Sequence, residues 1–118
     1  MGITSDQSKS YLSELLKLSK KNLVAIGYEN LIVDDTTGGV LLSAPIDAKY
    51  ALVVVESDTE GTVIRYLETG PSYPVTENNG IPRSHLDVFD IQGYQNISNF
   101  RAIQTQAGSH NLQVQYYK

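Results

Sequence analysis

The sequence predicts a mainly β protein: an antiparallel β-sandwich or small barrel of about seven to eight strands, preceded by one N-terminal amphipathic helix. Three observations carry this. From residue 23 on, apolar residues recur with period two in short runs rich in β-branched and aromatic side chains. Gly, Pro, Asp and Asn separate the runs, as turns require. The runs follow one another too closely for crossover helices, so they pair antiparallel.

The helix comes first. In "QSKSYLSELLKLSKKNL", Tyr11, Leu15 and Leu18, flanked by Leu12 and Leu16, recur at helical spacing, while Lys9, Glu14, Lys17, Lys20 and Lys21 fall largely elsewhere. The spacing predicts a helix over about residues 6–22, with Ser5 or Asp6 as N-cap and lysines at its negative pole. Residues 1–22 are thus an arm and 23–118 the β-domain. The strands expected are "LVAIGY", "NLIVD", "GVLLSA", "YALVVVE", "TVIRYLE", "LDVFDI", "FRAIQTQ" and "NLQVQYY". "YALVVVE" is apolar on both faces and reads as central, whereas "NLQVQYY" alternates, with Leu112, Val114 and Tyr116 on one face.

One connection is longer than a hairpin needs. Residues 70–93, "GPSYPVTENNGIPRSHLDVFDIQG", hold three of the four prolines, and Asn79-Gly80 supplies a left-handed turn position. Stiffening by Pro71, Pro74 and Pro82 suits a loop that docks in one geometry, because less entropy is lost on binding. A Greek-key crossing from one sheet to the other is the alternative use.

Composition bounds the function. The 118 residues carry a net charge of -4 with scattered Lys and Arg, which offers no face for nucleic acid. There is no cysteine, and no apolar run approaches the roughly 20 residues that span a bilayer, so no membrane partner is expected. His85 and His110 lie in no metal-binding pattern and read as solvated loop residues. Ser109 lacks the surroundings of a nucleophile elbow, and Asp87 and Asp90 have a spacing that sends them to opposite strand faces. Asp34-Asp35 lacks a calcium-loop pattern and reads as turn chemistry. The expectation is a protein that is not an enzyme and needs no metal or cofactor. Of the eight tyrosines, Tyr50 and Tyr66 read as core or rim, and Tyr73, Tyr94 and Tyr117 as free for contacts with another chain.

From residue 51 on, the order "ALVVVES", "VIRYLETG", Pro74, "NGIP", "LDVFDIQG", "ISNFRAIQTQAG", "LQVQYY" resembles the C-terminal β-domain of small virion proteins of tailed bacteriophages, of the decoration or head-tail accessory type. The resemblance covers about residues 50–118, a stretch expected to fold by itself. Val75 stands where that pattern has Thr after Pro, and Arg83 where it commonly has Leu. The resemblance implies a structural role in a virus particle assembled in the host cytoplasm, as capsid decoration, cement, or a head-tail or fibre-attachment adaptor. Its partners would be itself, as a trimer or dimer, and the major capsid protein or a head-tail component. Tyr11, Leu15, Leu16, Leu18, Tyr73, Pro74, Ile81, Pro82 and Tyr94 are the candidate interface residues. The competing reading is a carbohydrate-binding or adhesin-like sandwich module, motivated by the tyrosines. A cupin-type enzyme would need a histidine cluster that two distant imidazoles do not supply.

Overall fold

The computed structural model describes residues 23–118. The helix expected over residues 6–22, with Tyr11, Leu15, Leu16 and Leu18, lies outside them. Two four-stranded antiparallel sheets face each other. The first has the order β1 (Ala25–Val33), β8 (His110–Tyr117), β3 (Tyr50–Ser57), β6 (Val88–Gln92). The second has β2 (Val40–Leu41), β7 (Arg101–Gln104), β4 (Thr62–Leu67), β5 (Ile81–Ser84). Successive strands alternate between the sheets except at β4–β5, which gives the eight-stranded jelly-roll order.

Alternation builds the core. Leu112, Val114 and Tyr116 of β8 point inward and are buried, as do Ala51, Val53 and Val55 of β3. Both strands are central, and β3 is apolar on its outer face too, as its sequence suggests. Tyr66, Phe89 and Phe100 stack at the β5–β6 side, Tyr66 on Phe89 at 4.4 Å between ring centroids and on Phe100 at 5.3 Å. Arg83 closes that side. Its guanidinium lies 5.0 Å from the Phe89 centroid, and Nη2 donates to the Tyr66 hydroxyl at 3.3 Å.

Three expectations change. "LVAIGY" and "NLIVD" form one strand, β1, because the chain stays extended through Glu29, which pairs with Val114, and Gly27 is absorbed by a register shift against β8. "IPRS" is a strand that the prolines hid: β5 is an edge, where Pro82 forfeits no ladder bond that matters. A short helix, α1 (Tyr94–Asn99), precedes β7. The unit is also larger than residues 50–118, since β1 pairs with β8 over its length and β2 extends the second sheet from β7. Residues 25–41 therefore supply one edge strand to each sheet.

Candidate functional site

The long connection resolves into parts with different tasks. Residues 68–80 leave β4 and return to β5 within the same sheet, so this portion is no sheet-to-sheet crossing. The crossing is made by residues 85–87, where Leu86 takes a φ of 69° and its N–H donates to the Val55 carbonyl at 2.7 Å.

The 68–80 segment folds back over the outer face of the second sheet and is clasped there. Arg65, which points outward from β4, donates from Nη1 to the Gly80 carbonyl at 2.9 Å and from Nε to the Glu77 carbonyl at 3.1 Å. Thr76 and Asn79 exchange backbone hydrogen bonds, and the Thr76 hydroxyl accepts from the N–H groups of Asn78 and Asn79. Val75 is the anchor, 1% exposed yet outside the central core. It fits because two glycines leave room: a Cβ on Gly39 or on Gly80 would come within 2.8 Å of a Val75 methyl. Gly80 is also at φ +134°, where a side chain is strained. Val75 is thus the residue that fixes the loop.

What the clasp holds outward is apolar. A 3₁₀ turn, Gly70–Ser72, leads into Tyr73, which is 70% exposed, followed by exposed Pro74. Ile81 and Pro82 begin the edge strand β5 and are exposed, and Tyr94 opens α1 with its ring partly out. Register places these at one end of the sandwich, since Ile81 pairs with Tyr66 and Leu67 with Arg101 beside α1. The 3₁₀ turn and α1 are neighbours there, for a Cβ on Gly70 would meet Asn99 Oδ1 at 3.1 Å. Tyr73, Pro74, Ile81, Pro82 and Tyr94 are thus all exposed, on elements that meet at this end. Tyr117 does not join them. It is 7% exposed and packs edge-on against Tyr50, with centroids 5.8 Å apart, because its strand is central and ends beneath Leu23.

A cleft of about 400 Å³ lies beside the clasp, between the 35–38 turn, residues 75–77 and residues 103–107. Val75 and Ile103 form its apolar floor, and Asp35, Thr37, Glu77 and Gln104 are among its polar walls. Its lining contains no aromatic side chain.

The opposite end holds what sequence spacing hid. His110 is 1% exposed, not solvated, because it is the first residue of a central strand and its ring is fully partnered. Nδ1 lies 2.7 Å from the Ser57 hydroxyl and Nε2 lies 2.8 Å from the Gln106 carbonyl. An Nε2–H tautomer donating to Gln106 and accepting from Ser57 satisfies both. His85 Nδ1 accepts from the Ser57 N–H at 3.0 Å, so both histidines meet at one serine that β3 supplies. With its ring closed off from solvent, the Ser57–His110 pair acts as a structural tie. Asp58 caps the neighbouring turn: hydrogen bonds from the Ser109 N–H and then the Thr59 hydroxyl hold its carboxyl below the usual aspartate range.

Asp34 is held low by the Thr36 hydroxyl and N–H, the turn chemistry expected of "DDTT". Asp90 faces outward from β6, away from the core. Burial, followed by the Asp90 charge, raises Glu68 above the usual range. Burial raises Tyr50 as well, followed by the charge of Asp90, whose carboxylate lies beside the Tyr50 hydroxyl. Among the described residues no group of three or more His, Cys, Asp or Glu is placed to hold a metal ion, and no helix is long and apolar enough to cross a membrane.

Compared with protein-family models, curated proteins and solved structures, the chain has no match.

Proposed function

We propose that this protein is a non-enzymatic structural component of a bacteriophage particle, a capsid decoration or cement protein or a head-tail or fibre-attachment accessory, that works through protein–protein contacts. The observation that supports the reading is the clasped connection. Arg65 and Val75 hold it from beneath, so Tyr73, Pro74, Ile81, Pro82 and Tyr94 stand out from a surface that has already lost its conformational freedom. Aromatic and proline side chains on such a rigid mount suit a protein interface, where large flat anchors contribute most of the affinity. A jelly roll hosts capsid, lectin and cupin functions alike, so the fold itself does not choose among them. The particle would contain the chain as a trimer or dimer, with the major capsid protein or a head-tail component as neighbour. Mass spectrometry of purified particles from a strain that carries the sequence tests the reading. Presence at a fixed number of copies per particle is expected, and absence overturns it.

The second reading, a carbohydrate-binding module, rests on the cleft. Its hydroxyl, amide and carboxylate groups suit a polyol, while the lack of an aromatic platform weakens sugar stacking. Glycan-array binding that is lost on Glu77→Ala and Gln104→Ala would favour it over the virion reading.

A further inference from the structure

The two sheets differ in what covers them on the outside. On the first sheet, Tyr28 and Ile32 of β1 are exposed, and Leu52 and Val54 of β3 and Val88 of β6 are only half-buried. Between the two groups, β8 places Asn111, Gln113 and Gln115. Their polar ends are tied sideways: Gln113 Nε2 and Asn111 Nδ2 donate to Glu56 Oε1 at 2.7 and 3.2 Å, and the Tyr28 hydroxyl donates to Gln113. The amide stems are thereby left lying flat beside the aliphatic residues. A depression of about 190 Å³ opens there, lined by Tyr28, Leu52, Val54, Gln113, Val114 and Gln115.

The chain enters the described structure at this face. Val24 and Lys118 exchange backbone hydrogen bonds of 2.9 Å each, which fixes the entry beside the end of β8. Leu23 already packs on the face, in a cluster with Tyr50, Tyr117, Leu52 and Val88. Twenty-two residues precede it, and their sequence carries Tyr11, Leu12, Leu15, Leu16 and Leu18 at helical spacing. A helix over residues 6–22 is about 25 Å long. The eight residues of β3 run for about 26 Å, so helix and face match in length.

Charge matches as well. Residues 1–22 hold Lys9, Lys17, Lys20 and Lys21 against Asp6 and Glu14, a net of +2, which leaves -6 on residues 23–118 out of the total of -4. Glu56 and Asp90 stand on the outer face itself, and Glu68 lies near Asp90. Lys20 and Lys21 lie two and three residues before Leu23, which packs with Leu52, the ladder partner of Asp90.

The geometry points to the N-terminal segment of this same chain as the cover of the first sheet's outer face. In this inference the amphipathic helix of residues 6–22 lays Leu15, Leu16 and Leu18 across Leu52, Val54 and Val88. The lysines then lie toward the carboxylates at the rim. The inference does not depend on the virion reading, because it concerns the chain's own packing.

The absence of cysteine makes a clean test possible in the full chain. A nitroxide on Ser13→Cys in ¹⁵N-labelled protein should broaden the amide signals of residues 52–54, 88 and 113–115 and leave those of 101–104 sharp. Leu15→Asp, which changes nothing in the sandwich, should abolish that broadening while the β-sheet signals stay dispersed. Val54→Asp should do the same from the other side of the contact. Broadening absent from residues 52–54 and 88, or undiminished in Leu15→Asp, overturns the inference. So does broadening that appears when spin-labelled unenriched protein is mixed with unlabelled ¹⁵N protein, since the cover would then come from a second copy.

Discussion

The outer faces of the two sheets make an instructive pair. Each belongs to a four-stranded antiparallel sheet, and each carries aliphatic residues that water would penalise. The second sheet is covered by a segment contiguous with its own strands: residues 68–80 fold back, Val75 is buried over Gly39 and Gly80, and Arg65 holds the rim. On the first sheet, Leu52, Val54 and Val88 are only half-buried, with Leu23 packed against the cluster that holds Leu52 and Val88. A face covered by its own connection becomes a rigid mount for other residues. A face lacking that cover needs another segment, and the nearest one in the chain is the N-terminal arm.

The largest test of this contrast is truncation. Removing residues 1–22 should leave a cooperatively melting β-domain, since the eight strands of the two sheets lie within residues 25–117. Removing residues 1–49 strips the edge strand β1 from the first sheet and β2 from the second, which should abolish the cooperative melt. Circular dichroism during heating distinguishes the two. A cooperative melt of the shorter chain would mean that residues 50–118 are the folding unit after all.

Next come matched aspartates on the two faces. Val75→Asp buries a charge with no partner and should cost about 4 kcal/mol, enough to lower Tm by roughly 15 °C. In a chain starting at residue 23, Val54→Asp on the half-open first sheet should cost only about 1 kcal/mol. Equal losses in thermal scans would erase the distinction between covered and uncovered.

Gly80→Ala sharpens the account of the clasp. Its Cβ would approach a Val75 methyl to 2.8 Å at a φ of +134°, which predicts a loss of about 2 kcal/mol. Faster proteolysis within residues 76–80 should accompany it, because the segment would lift off Arg65. A neutral result in urea titration would show that Val75 is loosely held.

Little of this contrast was legible in the sequence, for reasons specific to the residues. A continuous apolar run revealed β3 and period two revealed β8, both central strands flanked on both sides. Period two missed β5, whose two-sided exposure and Pro82 remove the pattern, and it split β1 at Glu29, the charged residue between the two apolar runs. The density of proline and glycine marked residues 70–93 as unusual, yet spacing does not reveal that Val75 turns inward while Tyr73 turns out. His110 was misread because its burial comes from Ser57 and Gln106, residues distant in sequence or acting through the backbone.

The smallest effect concerns pH. The Asp58 carboxyl is held below its ordinary value, so its hydrogen bonds stabilise the fold above about pH 4, and that contribution is lost as pH falls through the lowered folded value. Asp58→Asn should lower Tm at neutral pH and flatten its decline in acid. Glu68 runs the other way. Its raised value makes the fold bind the proton more readily, so stability falls as pH rises from the unfolded value through the folded one, and Glu68→Gln should remove that slope.

The central claim is that the clasped connection is a preformed docking element, and the most direct measurement is site-specific photo-crosslinking during particle assembly. A photoreactive residue replaces Tyr73 at the clasped end or, as control, Leu86 at the far end, both exposed in the free protein. The account expects the Tyr73 position to capture a single virion protein, with capture reduced severalfold by Val75→Ala, and the Leu86 position to capture none. Capture at Leu86 without capture at Tyr73, or no virion protein at either position, would contradict it.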